Sequence, residues 1–135
     1  MSCVLRANGA GFLVDRFLQE SELIPCAVYR KGERRSPVRK PKGQIHETSG
    51  LNVDVSKADF DNLQGQIQDA ISFLKQHKTE LERLRRFPGV DEVCLDFGIA
   101  KRDVIAQADY FPPVLLYLAG SLGIGIELSQ YPVEN

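Results

Sequence analysis

The chain has 135 residues, of which 43% are hydrophobic and 26% charged, and its 17 basic and 18 acidic residues leave a formal net charge of −1. This length suits one domain with its own core, and the composition excludes global disorder, a collagen and a disulfide-rich miniprotein. The charge balance also excludes a histone-like polycation.

The first part of the chain predicts a strand, a short helix and a second strand. Residues 3–7 and residues 26–30 alternate between apolar and polar side chains, which is the period of a strand. Between them, apolar residues recur at helical spacing over residues 12–20, with Asp15 and Arg16 on the opposite side. These elements are followed by a segment of different composition.

Residues 30–43 form a basic segment rich in proline. It contains Pro37, Pro41 and Gly43, which exclude a continuous helix or a central strand. Glu33 is its one acidic residue, so the segment carries a charge of +6 and the remaining chain −7. Its cations are Arg30, Lys31, Arg34, Arg35, Arg39, Lys40 and Lys42. We expect a solvent-facing loop.

A third strand and a long helix come next. Residues 51–55 alternate, and apolar residues then recur at steps of three and four from Phe60 to Leu84. Ser56 with Asp59 resembles a capping box and predicts where the helix begins. A second box, Thr79 with Glu82, predicts that the helix kinks or restarts near Thr79.

The last part of the chain predicts a strand over 93–99, a helix over 114–122 and a strand over 124–129. The helix follows Pro112 and Pro113, and a proline is tolerated at the first helical position. Its residues are apolar nearly all round, which places it in the middle of the helical layer.

This order of elements predicts an α+β fold. One apolar and one polar side per strand indicates a sheet covered on a single face and disfavours a doubly wound parallel sheet. We expect one domain over residues 1–135, a two-layer sandwich in which helices cover one face of a mostly antiparallel sheet of four to five strands. We expect the arrangement of strands and helices to be ferredoxin-like.

The chain shows no targeting or membrane signal. The N-terminus lacks a basic region followed by an apolar run, and the longest apolar stretch, 110–126, falls short of the roughly 20 residues of a bilayer span. Cys3, Cys26 and Cys94 are odd in number and far apart, which favours a reducing compartment and thiols near the core. We therefore expect a cytoplasmic protein without membrane contact.

The basic segment is the predicted binding site. Its cations suit phosphates or carboxylates, and the leading partner is a protein with an acidic surface. The alternative is a solvated loop, or one that pairs with the chain's own acidic residues. Nucleic acid is a weaker hypothesis because the segment contains no aromatic residue. The outward sheet positions also offer no stacking platform. These positions are Arg6, Asn52, Asp54, Asp96, Glu127 and Ser129.

Two further groups could support a small enzyme. Asp54, Asp96 and Glu127 could lie together on the outer sheet face, where carboxylates bind cations or transfer protons. His77 falls on the inner stripe of the long helix. Water-facing polar residues and a packed histidine are the simpler interpretations. His46 has no second ligand at metal spacing, so no metal site is predicted. We also predict no catalytic residue and no cofactor.

Several short motifs resemble a family of small bacterial α+β domains of unknown function. They are Leu23-Ile24-Pro25, Arg30-Lys31-Gly32, the long helix over 60–84 and the closing strand Gly123-Ile124-Gly125-Ile126-Glu127-Leu128. Members often carry a tryptophan on the strand after the charged loop, whereas Leu51 stands there in this chain. The resemblance implies the fold and a bacterial origin, and it implies no activity.

From these observations we expect a non-enzymatic protein-interaction domain with an accessory, regulatory or immunity-like role. The absence of an assembled catalytic motif and the segregated positive charge motivate this expectation. Nucleic-acid binding through the basic segment and a small enzyme remain the alternatives. An exposed sheet edge also allows a homodimer.

Overall fold

The structure, a computed structural model, describes residues 2–34 and 44–132, which form five strands and four helices. In chain order these are β1 (Cys3–Gly9), α1 (Val14–Gln19), β2 (Ala27–Tyr29), β3 (Ser49–Ser56), α2 (Leu63–Gln76), α3 (Lys78–Arg86), β4 (Glu92–Ala100), α4 (Pro113–Ser121) and β5 (Gly125–Tyr131). None of the helices in this part of the chain is long and apolar enough to span a bilayer.

The strands form one sheet in the order β2-β3-β1-β4-β5. Three of its pairings are antiparallel, and β5 runs parallel to β4. The elements from β1 to β4 follow the β-α-β-β-α-β order of a ferredoxin-like unit, with β3 between β1 and β2 as in a split β-α-β. Helix α4 and β5 extend this unit at one edge. The predicted α+β fold is confirmed.

The core lies between one face of the sheet and the helices. Along β1, Cys3, Leu5 and Ala7 are fully buried, whereas the alternate residues Val4, Arg6 and Asn8 are only partly buried. The buried positions of α2 and α3 include Ile67, Ala70, Leu74, Leu81 and Leu84. Burial of this apolar stripe against the sheet stabilises the two helices.

The predicted start of the long helix at Ser56 is wrong. Ser56 is the last residue of β3, where it pairs with Cys3, and its hydroxyl donates to an Asp69 carboxylate oxygen at 2.6 Å. Asn62 caps α2 instead, because its side-chain oxygen accepts the Gly65 N–H at 2.9 Å. Pairing with β1 therefore keeps the chain extended beyond the point that local capping signals suggest.

The predicted interruption of the long helix is present, and it lies at His77 instead of Thr79. His77 ends α2 and precedes α3, with a backbone φ of −107° and ψ of 22°. Its N–H donates to the Phe73 carbonyl and its carbonyl accepts from Leu81. Backbone hydrogen bonds therefore lead into and out of His77, and the break lies at this residue.

The predicted position of the last helix in the middle of the helical layer is also wrong. α4 contacts α2 and β5, and only Leu115 and Ala119 are buried on it. Apolar residues on its remaining surface, including Leu116 and Tyr117, are exposed. An apolar surface usually indicates burial, but here no element in the described part of the chain covers it.

Two glycines allow two turns to meet. Gly9 ends β1 and Gly89 lies in the turn between α3 and β4, where its φ is +87°. A Cβ at Gly9 would collide with the Gly89 carbonyl, and a Cβ at Gly89 would collide with the Gly11 carbonyl. These glycines therefore serve a close backbone approach.

Candidate functional site

The first residue of the basic segment, Arg30, pairs with carboxylates of the same chain. The Arg30 guanidinium donates to both oxygens of Asp15 at 2.7 and 2.6 Å and lies 3.6 Å from Glu33. The hydrogen bonds from Arg30 lower the pKa of Asp15, and those to Asp15 raise the pKa of Arg30. The charge of Arg30, a predicted binding residue, is therefore matched within the molecule.

Of the other six cations of the segment, the structure describes Lys31 and Arg34. Lys31 and Arg34 are exposed, and the N–H of Lys31 donates to the Ser49 hydroxyl. Arg34 forms an isolated bridge with Ile45. Arg35, Arg39, Lys40 and Lys42 lie outside the described residues. A cavity of about 340 Å³ adjoins Arg30 and is lined largely by the start of α1.

The acidic residues of the outer sheet face lie in one row. Val4 pairs with Asp54 on one side and with Asp96 on the other, and Asp96 pairs with Glu127. Because neighbouring strands are about 4.8 Å apart, Asp54 and Asp96 are separated by about 10 Å. Within residues 2–34 and 44–132, no group of three His, Cys, Asp or Glu side chains could hold a metal ion.

Asp96 at the centre of this row is engaged in structural bonds. Its Oδ2 accepts from Arg6 Nε at 3.2 Å and Nη2 at 3.0 Å, and its Oδ1 accepts from the Ser129 hydroxyl at 2.6 Å. Only 8% of its side chain is exposed. A buried carboxylate with these donors ties β1, β4 and β5 together.

The two buried cysteines have thiols that are harder to ionise than a free cysteine. Cys3 and Cys94 are buried, and all three cysteines are free. Burial raises the pKa of Cys94 to about 11, with smaller contributions from nearby carboxylates. Cys26 is exposed, so the expectation that it lies near the core is wrong. It lies just before β2, where its N–H and its thiol donate to the Asn52 carbonyl.

The outer face also carries aromatic side chains that the sequence analysis missed. Tyr29 lies against Gly50 and stacks on His46 with ring centroids 4.6 Å apart. Tyr131 packs against Phe60 at 5.4 Å, next to Gly98. Extending the alternation of β5 two residues past Ser129 would have placed Tyr131 on this face.

His77 packs at the break between α2 and α3. Its ring lies 4.7 Å from the Phe73 ring, and its Nδ1 is 3.4 Å from a Glu22 carboxylate oxygen. Neither described cavity is lined by His77. These contacts indicate packing at a helix break.

A second cavity of about 340 Å³ lies between the start of α2 and the loop before α4. Arg102 is a cation at its wall, and Asp109 accepts a hydrogen bond from it at 3.3 Å. Asp61 adds a further negative charge. The cavity therefore has no excess of positive charge for an anion.

Several exposed apolar side chains lie on α4 and just before it. Tyr110 is 72% exposed, Tyr117 73% and Leu116 50%, and Val114 is exposed as well. We call these four residues the α4 surface. Val104 and Ile105, in the preceding loop, are also exposed. Glu127 is the one charged residue in the sequence from Tyr110 to Pro132.

Comparison with known proteins identifies one family. A family model described as "Domain of unknown function (DUF4279)" matches residues 1–133, nearly the whole chain. No curated protein and no solved structure matches the chain. The resemblance to a family of small α+β domains of unknown function is confirmed.

Proposed function

Because the chain belongs to the family of domains of unknown function DUF4279, whose description states no activity, we propose a function from its exposed surfaces: it is a protein-interaction domain that binds its partner through the α4 surface. The observation that carries this proposal is the exposure of Val114, Leu116 and Tyr117 on α4, which has no charged residue, together with that of Tyr110 just before it. Contiguous apolar exposure of this kind is typical of protein interfaces.

The composition of the α4 surface supports the same proposal. Tyrosines are enriched at interfaces because the ring buries a large apolar area while the hydroxyl still finds a polar partner. Two tyrosines and two aliphatic residues form this surface, and its helix carries no charged residue. Burying it would therefore remove apolar area from water without desolvating an unpaired ion.

The basic segment gives less support as the interface. Arg30 is already bonded to Asp15 and lies near Glu33, so a new anionic partner would compete with these carboxylates. The partner we propose is therefore recognised through apolar contacts, in place of the acidic surface expected from the sequence.

A site-specific photo-crosslink tests the proposal. Tyr117→p-benzoylphenylalanine is placed in the full chain, and the protein is irradiated both purified and in a lysate of the cells from which the sequence comes. We expect a covalent adduct with a protein. The matched control is Ile24→p-benzoylphenylalanine, because Ile24 is an 84% exposed aliphatic residue outside the α4 surface. Absence of any protein adduct at position 117, or equal adducts at 24 and 117, would contradict the proposal.

A further inference from the structure

The free edge of β5 adjoins the α4 surface, and its backbone is available for pairing. In the described part of the chain, β5 pairs with β4 on one side and with no strand on the other. The Tyr131 carbonyl accepts the Lys101 N–H, so the polar groups of residue 131 point toward β4. Since these groups alternate along a strand, Ile126, Leu128 and Gln130 direct their N–H and C=O groups to the free edge.

We propose that this edge pairs with the same edge of a second copy of the chain, which forms a two-fold dimer with one continuous ten-stranded sheet. This inference rests on the proposed function, because it names the partner of the α4 surface. A two-fold interface uses the same patch on both copies. The residues of β5 determine whether this edge is complementary to a second copy of itself.

A two-fold axis at Leu128 pairs the whole of β5 with its copy. Residues 125–131 are centred on Leu128, so each residue of the strand finds a partner and the outward groups of 126, 128 and 130 bond to those of the second copy. Glu127 then lies opposite Ser129, and Gly125 lies opposite Tyr131. Moving the axis to Glu127 would place two like charges opposite each other, which is unfavourable.

The same axis brings the two α4 helices together. Crossovers between parallel strands of one sheet are right-handed in nearly all proteins, and we place α4 on that rule for the connection from β4 to β5. With Leu115 and Ala119 on the core side, a rotation of about 100° per residue turns Leu116 and Gly120 toward the free edge of β5. A Cβ at Gly120 would meet no atom within 4 Å, so this flank is open to the second helix.

The charge distribution allows the two copies to approach. The whole chain carries −1, and Glu127 is the one charge between Tyr110 and Pro132. The edge of β5 also contains neither lysine nor an internal proline, two devices that keep an exposed edge from pairing. Its half-buried Ile126 and Leu128 would gain cover from the second copy.

Gln130→Pro is the sharpest test of the edge. The proline removes an N–H that points out of the molecule, so it costs no bond to β4, and the Gln130 side chain is exposed. By symmetry the dimer loses two hydrogen bonds, at about 1 kcal/mol each, so we expect its dissociation constant to rise about 30-fold. The matched control, Gln130→Thr, keeps the N–H and should leave dimerisation within a few-fold.

Analytical ultracentrifugation of the full chain over a range of concentrations measures this. We expect wild type to reach twice the monomer mass of 15.1 kDa and Gln130→Pro to do so only at about 30-fold higher concentrations, with circular dichroism showing that it is folded. A wild type that stays monomeric at all concentrations would overturn the proposal. A folded Gln130→Pro that dimerises as wild type does would overturn it as well.

Cysteine cross-linking tests the register. In a Cys26→Ser background, Leu128→Cys should give a disulfide-linked dimer on oxidation, because hydrogen-bonded antiparallel partners have Cα atoms about 5.5 Å apart. Ile126→Cys should not, since the two copies of residue 126 would lie about 14 Å apart. Failure of Leu128→Cys to link in a dimeric sample would contradict this register.

The two proposals can fail separately. An adduct of p-benzoylphenylalanine at position 117 with a different protein, together with a monomeric wild type, would leave the interaction function in place and remove the second copy as its partner. The absence of any protein adduct would remove both.

Discussion

Glu80 is a buried carboxylate that joins α3 to the segment after α1. Its oxygens accept from Arg83 Nε at 2.6 Å and from the Glu22 N–H at 3.1 Å, and Arg83 also donates to the Phe17 carbonyl. The Arg83 guanidinium lies 4.1 Å from the centre of the Phe17 ring. A single ion pair therefore fixes the position of α1 against α3, and its strength depends on pH.

We expect Glu80→Gln to destabilise the protein by about 2 kcal/mol near pH 7, because charge-assisted hydrogen bonds are lost. Burial raises the pKa of Glu80. The hydrogen bonds from Arg83, Ser21 and Glu22, together with the charge of Arg83, lower it by more than burial raises it, so the pKa of Glu80 lies below the ordinary 4.5. A carboxylate with a lowered folded pKa stabilises fully above the unfolded pKa and loses this effect as the pH falls through the folded value.

Urea unfolding of wild type and Glu80→Gln between about pH 7 and pH 3 checks this sign. The difference in the free energy of unfolding should shrink as the pH falls below about 4.5. The control is Glu82→Gln on the same helix, whose pair with Lys78 is exposed at 3.7 Å and should contribute little. A Glu80→Gln difference that stays constant with pH would contradict the assignment.

At the scale of the elements, α2 shows how a helix start is chosen. Ser56, Asp59 and Asn62 are all good capping residues in sequence, so local propensity leaves three candidates. The pairing of Ser56 with Cys3 excludes Ser56, because it keeps β3 extended to its last residue, and the bond from the Gly65 N–H identifies Asn62 as the cap. This pairing joins residues 53 positions apart, so no local pattern contains it.

Asn62→Ala should therefore destabilise the protein by about 1 kcal/mol, the usual effect of losing a helix cap. The Gly65 N–H would lose its acceptor at 2.9 Å. Gln64→Ala, an exposed change in the first turn of the same helix, should change stability by less than about 0.5 kcal/mol. Thermal or urea unfolding measures both, and equal effects of the two variants would show that Asn62 is not the cap.

At the scale of the whole molecule, the sheet was predictable and its surroundings were less so. Strand alternation placed Arg6, Asn52 and Asp96 on the outer face, because period-two patterning directly reports which side of a half-covered sheet is buried. The apolar pattern of α4 predicted burial, but a pattern cannot distinguish the chain's own core from a partner. The basic segment was identified by its charge, whereas the pairing of Arg30, the residue after β2, with Asp15 of α1 is seen only in the folded chain.

The charge distribution of the molecule gives one more prediction. Because the α4 surface and β5 contain a single charge, Glu127, the dimerisation constant should change by less than about threefold between roughly 50 mM and 500 mM salt. Sedimentation at these salt concentrations measures it. A steep weakening with salt would indicate that the basic segment contributes to the interface, and would contradict an apolar one.

The opposite end of the sheet limits what such pairing can build. β2 has three residues, Ala27–Tyr29, and follows Pro25, so it offers little backbone to another strand. A sheet with two long usable edges could add copies without end and grow into a fibre. Because only the β5 edge is long enough to pair, the sheet extends by one added copy and the proposed assembly stops at a dimer.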